Sequence, residues 1–263
     1  MSDPFELTTG PGPLVAAAVH DGHAVHPETL PHFALEDAGR LREEDPFTGE
    51  LTDVAETRIV GKRSRFEVDL NRPRGRAVYR TPDDAWGLTV WKDGLPGNVE
   101  ERSLATYDAF YDAVEKLLSL KIQEHGSVVV FDLHSYNHKR DGPDGPIADP
   151  EENPEVNIGT GTLDRDTWGG LVDRFMADLE AGAVEAGRTG LDVRENVKFQ
   201  GGNFSQWIHH TFGSAACVIA VEFKKTFMDE WSGEPDRAHL DQLHRALAST
   251  VPGVLEERVA ATS

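Results

Sequence analysis

Three apolar runs organise this chain, and each stops at a residue able to do chemistry. Leu14 to Val19 runs into His20, Val128 to Phe131 leads to Asp132, His134 and Ser135, and Ala215 to Val221 ends at Glu222. Unbroken small and β-branched residues without alternation mark strands covered on both faces, as in a parallel sheet. Two other stretches repeat every 3.6 residues and predict long amphipathic helices. One carries Leu104, Tyr107, Phe110, Tyr111, Val114, Leu117 and Leu118; the other carries Trp168, Leu171, Val172, Phe175, Leu179 and Val184. Shorter strands are expected at 57–60, 64–70 and 156–160, the middle one because Phe66, Val68 and Leu70 alternate with Arg65, Glu67 and Asp69. A short helix is expected within 35–44, and a polar helix or helix pair over 236–261, interrupted at Pro252-Gly253. Residues 1–13, with Pro4, Gly10, Pro11, Gly12 and Pro13, read as a loose leader. Residues 14–263 then form a single α/β domain, with a mostly parallel or mixed central sheet and helices on both faces.

Charge narrows the partners. The 263 residues include 26 basic and 46 acidic side chains, a net charge of −20, which argues against nucleic acid or an anionic membrane surface. No apolar stretch approaches the length of a membrane span, so a soluble, cytoplasmic protein is expected. Cys217, the single cysteine, lies in an apolar run; an internal disulfide framework and a Cys-rich zinc site are excluded. Within so acidic a chain, Arg65, Arg72, Arg74 and Arg76 form a local basic cluster. Arg72 beside Asn71 offers a fork for a carboxylate plus an amide, whereas Arg74 and Arg76 suit pairing with surface acids. The Pro-rich run 138–154 is long for an inert connection and suits a rim over a site. Oligomeric state leaves no mark in the sequence.

In open α/β sheets, ligands collect beyond the carboxyl ends of the strands. If the three apolar strands are neighbours, His20, His134 and Glu222 face one crevice. Two histidines with a carboxylate from Glu43-Glu44-Asp45 would make the donor set of a catalytic zinc with an open position. Glu222 would serve as general base and acid beside it, and Arg65 with Arg72 would anchor a substrate carboxylate. Gly201-Gly202 precedes a helix start whose amides suit an anion, although a plain turn explains the pair equally well.

These stretches resemble known motifs. Asp132-Leu133-His134-Ser135-Tyr136, Asp69-Leu70-Asn71-Arg72 and Val221-Glu222 are similar to three motifs of the zinc carboxypeptidase and aspartoacylase superfamily. His20-Asp21-Gly22, Glu44-Asp45-Pro46-Phe47 and Phe199-Gln200-Gly201-Gly202 resemble landmarks of its N-formylglutamate amidohydrolase family. The resemblance extends from about Val15 to Glu222 and implies a zinc-carboxypeptidase-like fold with one zinc per chain. It further implies His134 as a zinc ligand, Asn71 and Arg72 on the substrate carboxylate, Arg65 on the scissile carbonyl and Glu222 as general base. The implied substrate is an acidic N-acyl amino acid such as N-formyl-L-glutamate. Another N-acyl amino acid or small peptide, or a non-catalytic carboxylate-binding protein, is the alternative; no Gly-x-Ser-x-Gly elbow supports a serine hydrolase. Carboxypeptidases draw ligands from His-x-x-Glu, but His23 stands three residues after His20. The third ligand is therefore expected among Glu44, Asp45, Glu43 and His23, with Glu44 favoured, and His23 placed at the rim.

Overall fold

The three apolar runs become adjacent parallel strands in the computed structural model, which describes residues 3–261. In chain order the strands are β1 (Phe5–Thr8), β2 (Leu14–Ala18), β3 (Thr57–Gly61), β4 (Val128–Tyr136), β5 (Val156–Gly159), β6 (Val193–Glu195) and β7 (Ala216–Lys224). They form one seven-stranded mixed sheet in the order β1-β3-β2-β4-β7-β5-β6. The core β3-β2-β4-β7 is parallel, while β1 joins β3, and β5 joins β7, antiparallel. The helices are α1 (Asp37–Glu43), α2 (Thr48–Leu51), α3 (Gly97–His125), α4 (Arg165–Glu185), α5 (Asn203–Phe212) and α6 (Arg237–Ala261). None is long and apolar enough to cross a membrane.

Successive side chains of a strand point to opposite faces, so each central strand serves two cores. Val129, Phe131 and Leu133 of β4, with Cys217, Ile219 and Val221 of β7, pack with Phe175, Leu179, Leu243 and Leu247 of α4 and α6. Val128, Val130 and Val218 face the other way, against Phe110, Val114, Phe204 and Ile208 of α3 and α5. Each such burial contributes roughly 1.5–3 kcal/mol, which explains why the strands read as unbroken apolar runs. By the same parity, Asp132, His134 and Glu222 belong to the α3/α5 side. A third cluster around Phe66, Tyr79 and Trp91 lies under the arginines described below.

Three sequence expectations are corrected. The leader is not loose throughout: Phe5–Thr8 pairs with Arg58–Gly61 as an edge strand, while residues 1, 2, 262 and 263 lie outside the described residues. Ser64 to Leu70 is a turn rather than a strand, closed by Glu67 N–H to Ser64 O at 2.9 Å. Its alternation misleads because Glu67 and Asp69 are as buried as Phe66 and Val68. Glu67, for example, accepts Thr29 Oγ1 at 2.7 Å and His26 N–H at 2.9 Å. Finally, α6 continues through Pro252. Its lost backbone bond is offset by packing along α4, where Leu240, Leu243, Leu247 and Val254 are buried.

His209 ties α5 to the sheet and makes stability depend on pH. Its Nε2 accepts the Val218 amide at 3.0 Å, so Nδ1, 2.9 Å from Thr162 Oγ1, carries the ring's proton. Burial pushes this imidazole down to about 4, against 6.5 when free. Between those values the unfolded chain binds the extra proton, so the contribution is complete above 6.5 and is lost as pH falls toward 4. The loss reaches roughly 3 kcal/mol, at 1.36 kcal/mol per pH unit. Urea midpoints at pH 7 and pH ~4.5 should therefore differ more in wild type than in His209→Gln. Equal differences would remove His209 from the account.

Candidate active site

The carboxyl ends of β2 and β4 bring His20 and His134 edge to face, with ring centres 5.1 Å apart. Between their Nδ1 atoms stands one carboxylate oxygen, Asp45 Oδ2, at 3.4 Å from His20 and 3.0 Å from His134. Donor atoms of these three buried residues lie within 4.8 Å of one another, a His₂-carboxylate group. His20 is hydrogen-bonded from behind by a further carboxylate, and another lies behind His134. His20 Nε2 meets Asp69 Oδ1 at 2.6 Å, and Asp132 Oδ1 lies 2.9 Å from His134 Nε2. That backing fixes ring orientation and leaves Nδ1 facing inward, the arrangement seen around metal-ligating histidines. Asp69 also accepts Arg65, Tyr79 and the Asn71 amide, and Asp132 accepts Ser205 Oγ at 2.7 Å.

The cluster favours positive charge at its centre. Burial opposes ionisation of Asp45, yet His134 and His20 hold its carboxyl well below the usual range. Asp69 is likewise held low against burial, by Arg65, His20 and Tyr79. His134 is raised well above an ordinary imidazole because Asp132 and Asp45 outweigh burial. The donor set, its backing carboxylates and this polarity all fit a dication.

Glu222 is the rung of β7 opposite His134 of β4, so one ladder sets their spacing. Its carboxylate faces a cavity of about 270 Å³ and has no hydrogen-bond donor among the described residues. Burial, reinforced by Asp45 and Asp132 and opposed by His134, pushes it up to about 7. A carboxylate so placed can take up a proton near neutrality.

One wall of the cavity is cationic. Arg65 is fixed by Asp69 Oδ2 at 3.0 Å and the Glu43 carbonyl at 3.2 Å, and Arg72 Nε lies 3.7 Å from Asp69 Oδ2. Trp86 covers both guanidinium groups, its ring centre 4.9 Å from Arg65 and 5.7 Å from Arg72. This tryptophan is 49% exposed and left-handed, with φ 53°. Asn71 lines the cavity, but its Oδ1 accepts the Phe204 amide at 2.8 Å, leaving Nδ2 3.3 Å from His134 Nε2.

The structure redistributes several predicted roles. Glu44 does not face the histidines of the cluster: it accepts Ser64 Oγ and lies 2.5 Å from His23 Nδ1. Asp45 takes the central position instead. Lys225 explains the choice, since its buried ammonium donates to the carbonyls of Arg42 and Glu44, each at 2.6 Å, and so fixes the acidic run. Burial pushes Lys225 down to about 8. His23 is paired with Glu44 and Asp37. Gly201 and Gly202 do line the cavity, but the amides of Asn203 and Phe204 at the start of α5 go to Asn71 rather than to an anion. Gly202 is required because a Cβ there would sit 2.2 Å from Asn71 Nδ2. Asp132 had a usable sequence signal, being two residues before His134 and so on its face of the strand. Trp86 and Lys225 had none.

A cavity at the carboxyl ends of parallel strands, holding the half-buried Glu222 carboxylate beside a polarised His/Asp cluster, is the kind of site expected of an α/β enzyme of hydrolytic type. The N-formylglutamate amidohydrolase family matches over residues 12–228, and the chain belongs to that family. The solved structure of an N-formylglutamate amidohydrolase from Ralstonia eutropha superposes with a TM-score of 0.74 at 20% identity, covering 98% of this chain and 99% of that one. A gene product of Agrobacterium tumefaciens gives 0.55 at 16% identity, covering 96% of each chain. These two likenesses are of fold. No curated protein matches the chain.

Proposed function

We propose that the protein hydrolyses the amide of N-formyl-L-glutamate or a closely similar acidic N-acyl amino acid, using zinc held by His20, Asp45 and His134. The observation that carries this reading is the pairing of a His₂-carboxylate cluster with Glu222, directly opposite His134 on the neighbouring strand. Bound there, the metal would supply Lewis acidity and a more acidic water. Glu222 accepts a proton from the attacking water at its carboxylate and returns it to the leaving nitrogen. Arg65 stabilises charge developing on the acyl oxygen. Arg72 and Asn71 Nδ2 hold the α-carboxylate, which fixes the amide beside Glu222. Asp69 and Asp132 keep both imidazoles aimed inward through the cycle. Because Asp69 also holds Arg65, one carboxylate aligns a metal ligand and a substrate cation together.

The test is formate release from N-formyl-L-glutamate before chelation, after chelation and after zinc is restored. Release should vanish with the metal and return with zinc. Metal bound without release would direct the search to other N-acyl amino acids. Neither metal nor release would overturn the hydrolase reading.

A further inference from the structure

We infer that Arg140 is the specificity-determining residue of this site, taking the side-chain carboxylate of an acidic N-acyl amino acid; the inference rests on the substrate class proposed above. Arg140 stands at the start of the long excursion between β4 and β5 and lines the cavity that holds Glu222 and Arg72. The backbone just before it is anchored. Glu230, 3% exposed, accepts the amides of His138 and Lys139, the former at 3.1 Å. Arg42 donates to the Lys139 carbonyl at 2.9 Å while its guanidinium sits 4.1 Å over the ring of Trp231. These contacts build a fixed base for a side chain that is itself 56% exposed.

The guanidinium on that base is underused. Its one polar contact among the described residues is Glu43 Oε2 at 3.5 Å, beyond a good charge-assisted hydrogen bond. Glu43 does not depend on Arg140, because Arg42 Nη1 holds its other oxygen at 2.5 Å. A ligand carboxylate can therefore draw Arg140 away and leave no buried charge unpaired. Glu43 also separates the two cationic walls, since its carbonyl accepts Arg65 while its carboxylate faces Arg140. A ligand with one carboxylate at Arg72 thus meets a second cation on another part of the rim. Lys198 lies near enough for Arg140 to reinforce the lowering that burial imposes on its ammonium, so this rim repels cationic side chains. In a chain of net charge −20, such a rim is a local exception suited to a second anion.

The test compares N-formyl-L-glutamate with N-formyl-L-glutamine, which have the same shape but end in a carboxylate and a neutral carboxamide respectively. Wild type should favour glutamate, and Arg140→Gln should cut that preference about 10- to 100-fold, mostly through KM. Arg140→Lys should recover part of it, since charge without a bidentate fork remains. Calorimetric binding of glutarate and butyrate supplies a readout independent of turnover: the preference for glutarate should shrink in Arg140→Gln. If Arg140→Gln lowers both substrates equally, or leaves both ratios unchanged, the inference is overturned. If neither formyl compound is cleaved but the glutarate preference depends on Arg140, the carboxylate site stands and the proposed hydrolysis falls.

Discussion

Glu222→Gln is expected to lower kcat by about 10²- to 10⁴-fold, the span covered by one general acid–base group. Bound metal and melting temperature should stay close to wild type. The amide keeps the size of the carboxylate, and no hydrogen bond is lost, because Glu222 has no donor among the described residues. What disappears is the group proposed to carry the proton. Wild type should also lose kcat/KM on acidification, as Glu222 protonates. In the metal-free pocket burial raises this carboxyl to about 7; a dication favours its ionised form, so the loaded enzyme's acid limb falls below that value. Steady-state kinetics with metal analysis on the same samples check both points. Turnover within ~10-fold of wild type would assign the proton to another residue.

Asp45→Asn and Glu44→Gln, adjacent changes of the same kind, should separate cleanly. Asp45 presents one oxygen to both Nδ1 atoms, so its amide should weaken zinc affinity beyond the ~10- to 100-fold typical of residues that only orient ligands. Glu44 is fully buried but spends both oxygens on Ser64 and His23. Its amide should keep zinc within a few-fold and instead cost about 1–3 kcal/mol of stability, through an unsatisfied buried group. Competitive zinc titration and urea unfolding on both variants decide between them. The reverse pattern would restore Glu44 as the ligand.

Those two acids also show where the sequence stops being informative. Glu43, Glu44 and Asp45 are consecutive, and composition ranks none above the others. The choice is made by Lys225, 181 positions from Glu44, which grips the carbonyls on either side of Glu43. The strand-end residues were legible for the opposite reason. β2, β4 and β7 are buried on both faces, so apolar monotony announces each strand and its polar terminus announces the site. Ser64 to Leu70 failed as a strand because its acids are buried with partners from distant segments, a property that alternation cannot register. Arg140 escaped notice because its position depends on Glu230, far along the chain, rather than on any local pattern.

The Lys225 grip has a consequence for how the molecule is made. Its contact with Glu44 spans 181 residues, and the Asp45–His134 contact spans 89, so the cluster rests on pairings of very high contact order. During synthesis the N-terminal half emerges with His20, Asp45 and Asp69 in place along the chain, but β7 and the Lys225 that follows it come much later. Until then the acidic run has no clamp. The His20–Asp45–His134 arrangement is accordingly one of the last parts of the native state to form, and zinc, bound there as proposed, would mark a chain whose folding is complete. Because zinc would favour only that finished state, its supply would act on the yield of folded protein as well as on the rate of the enzyme.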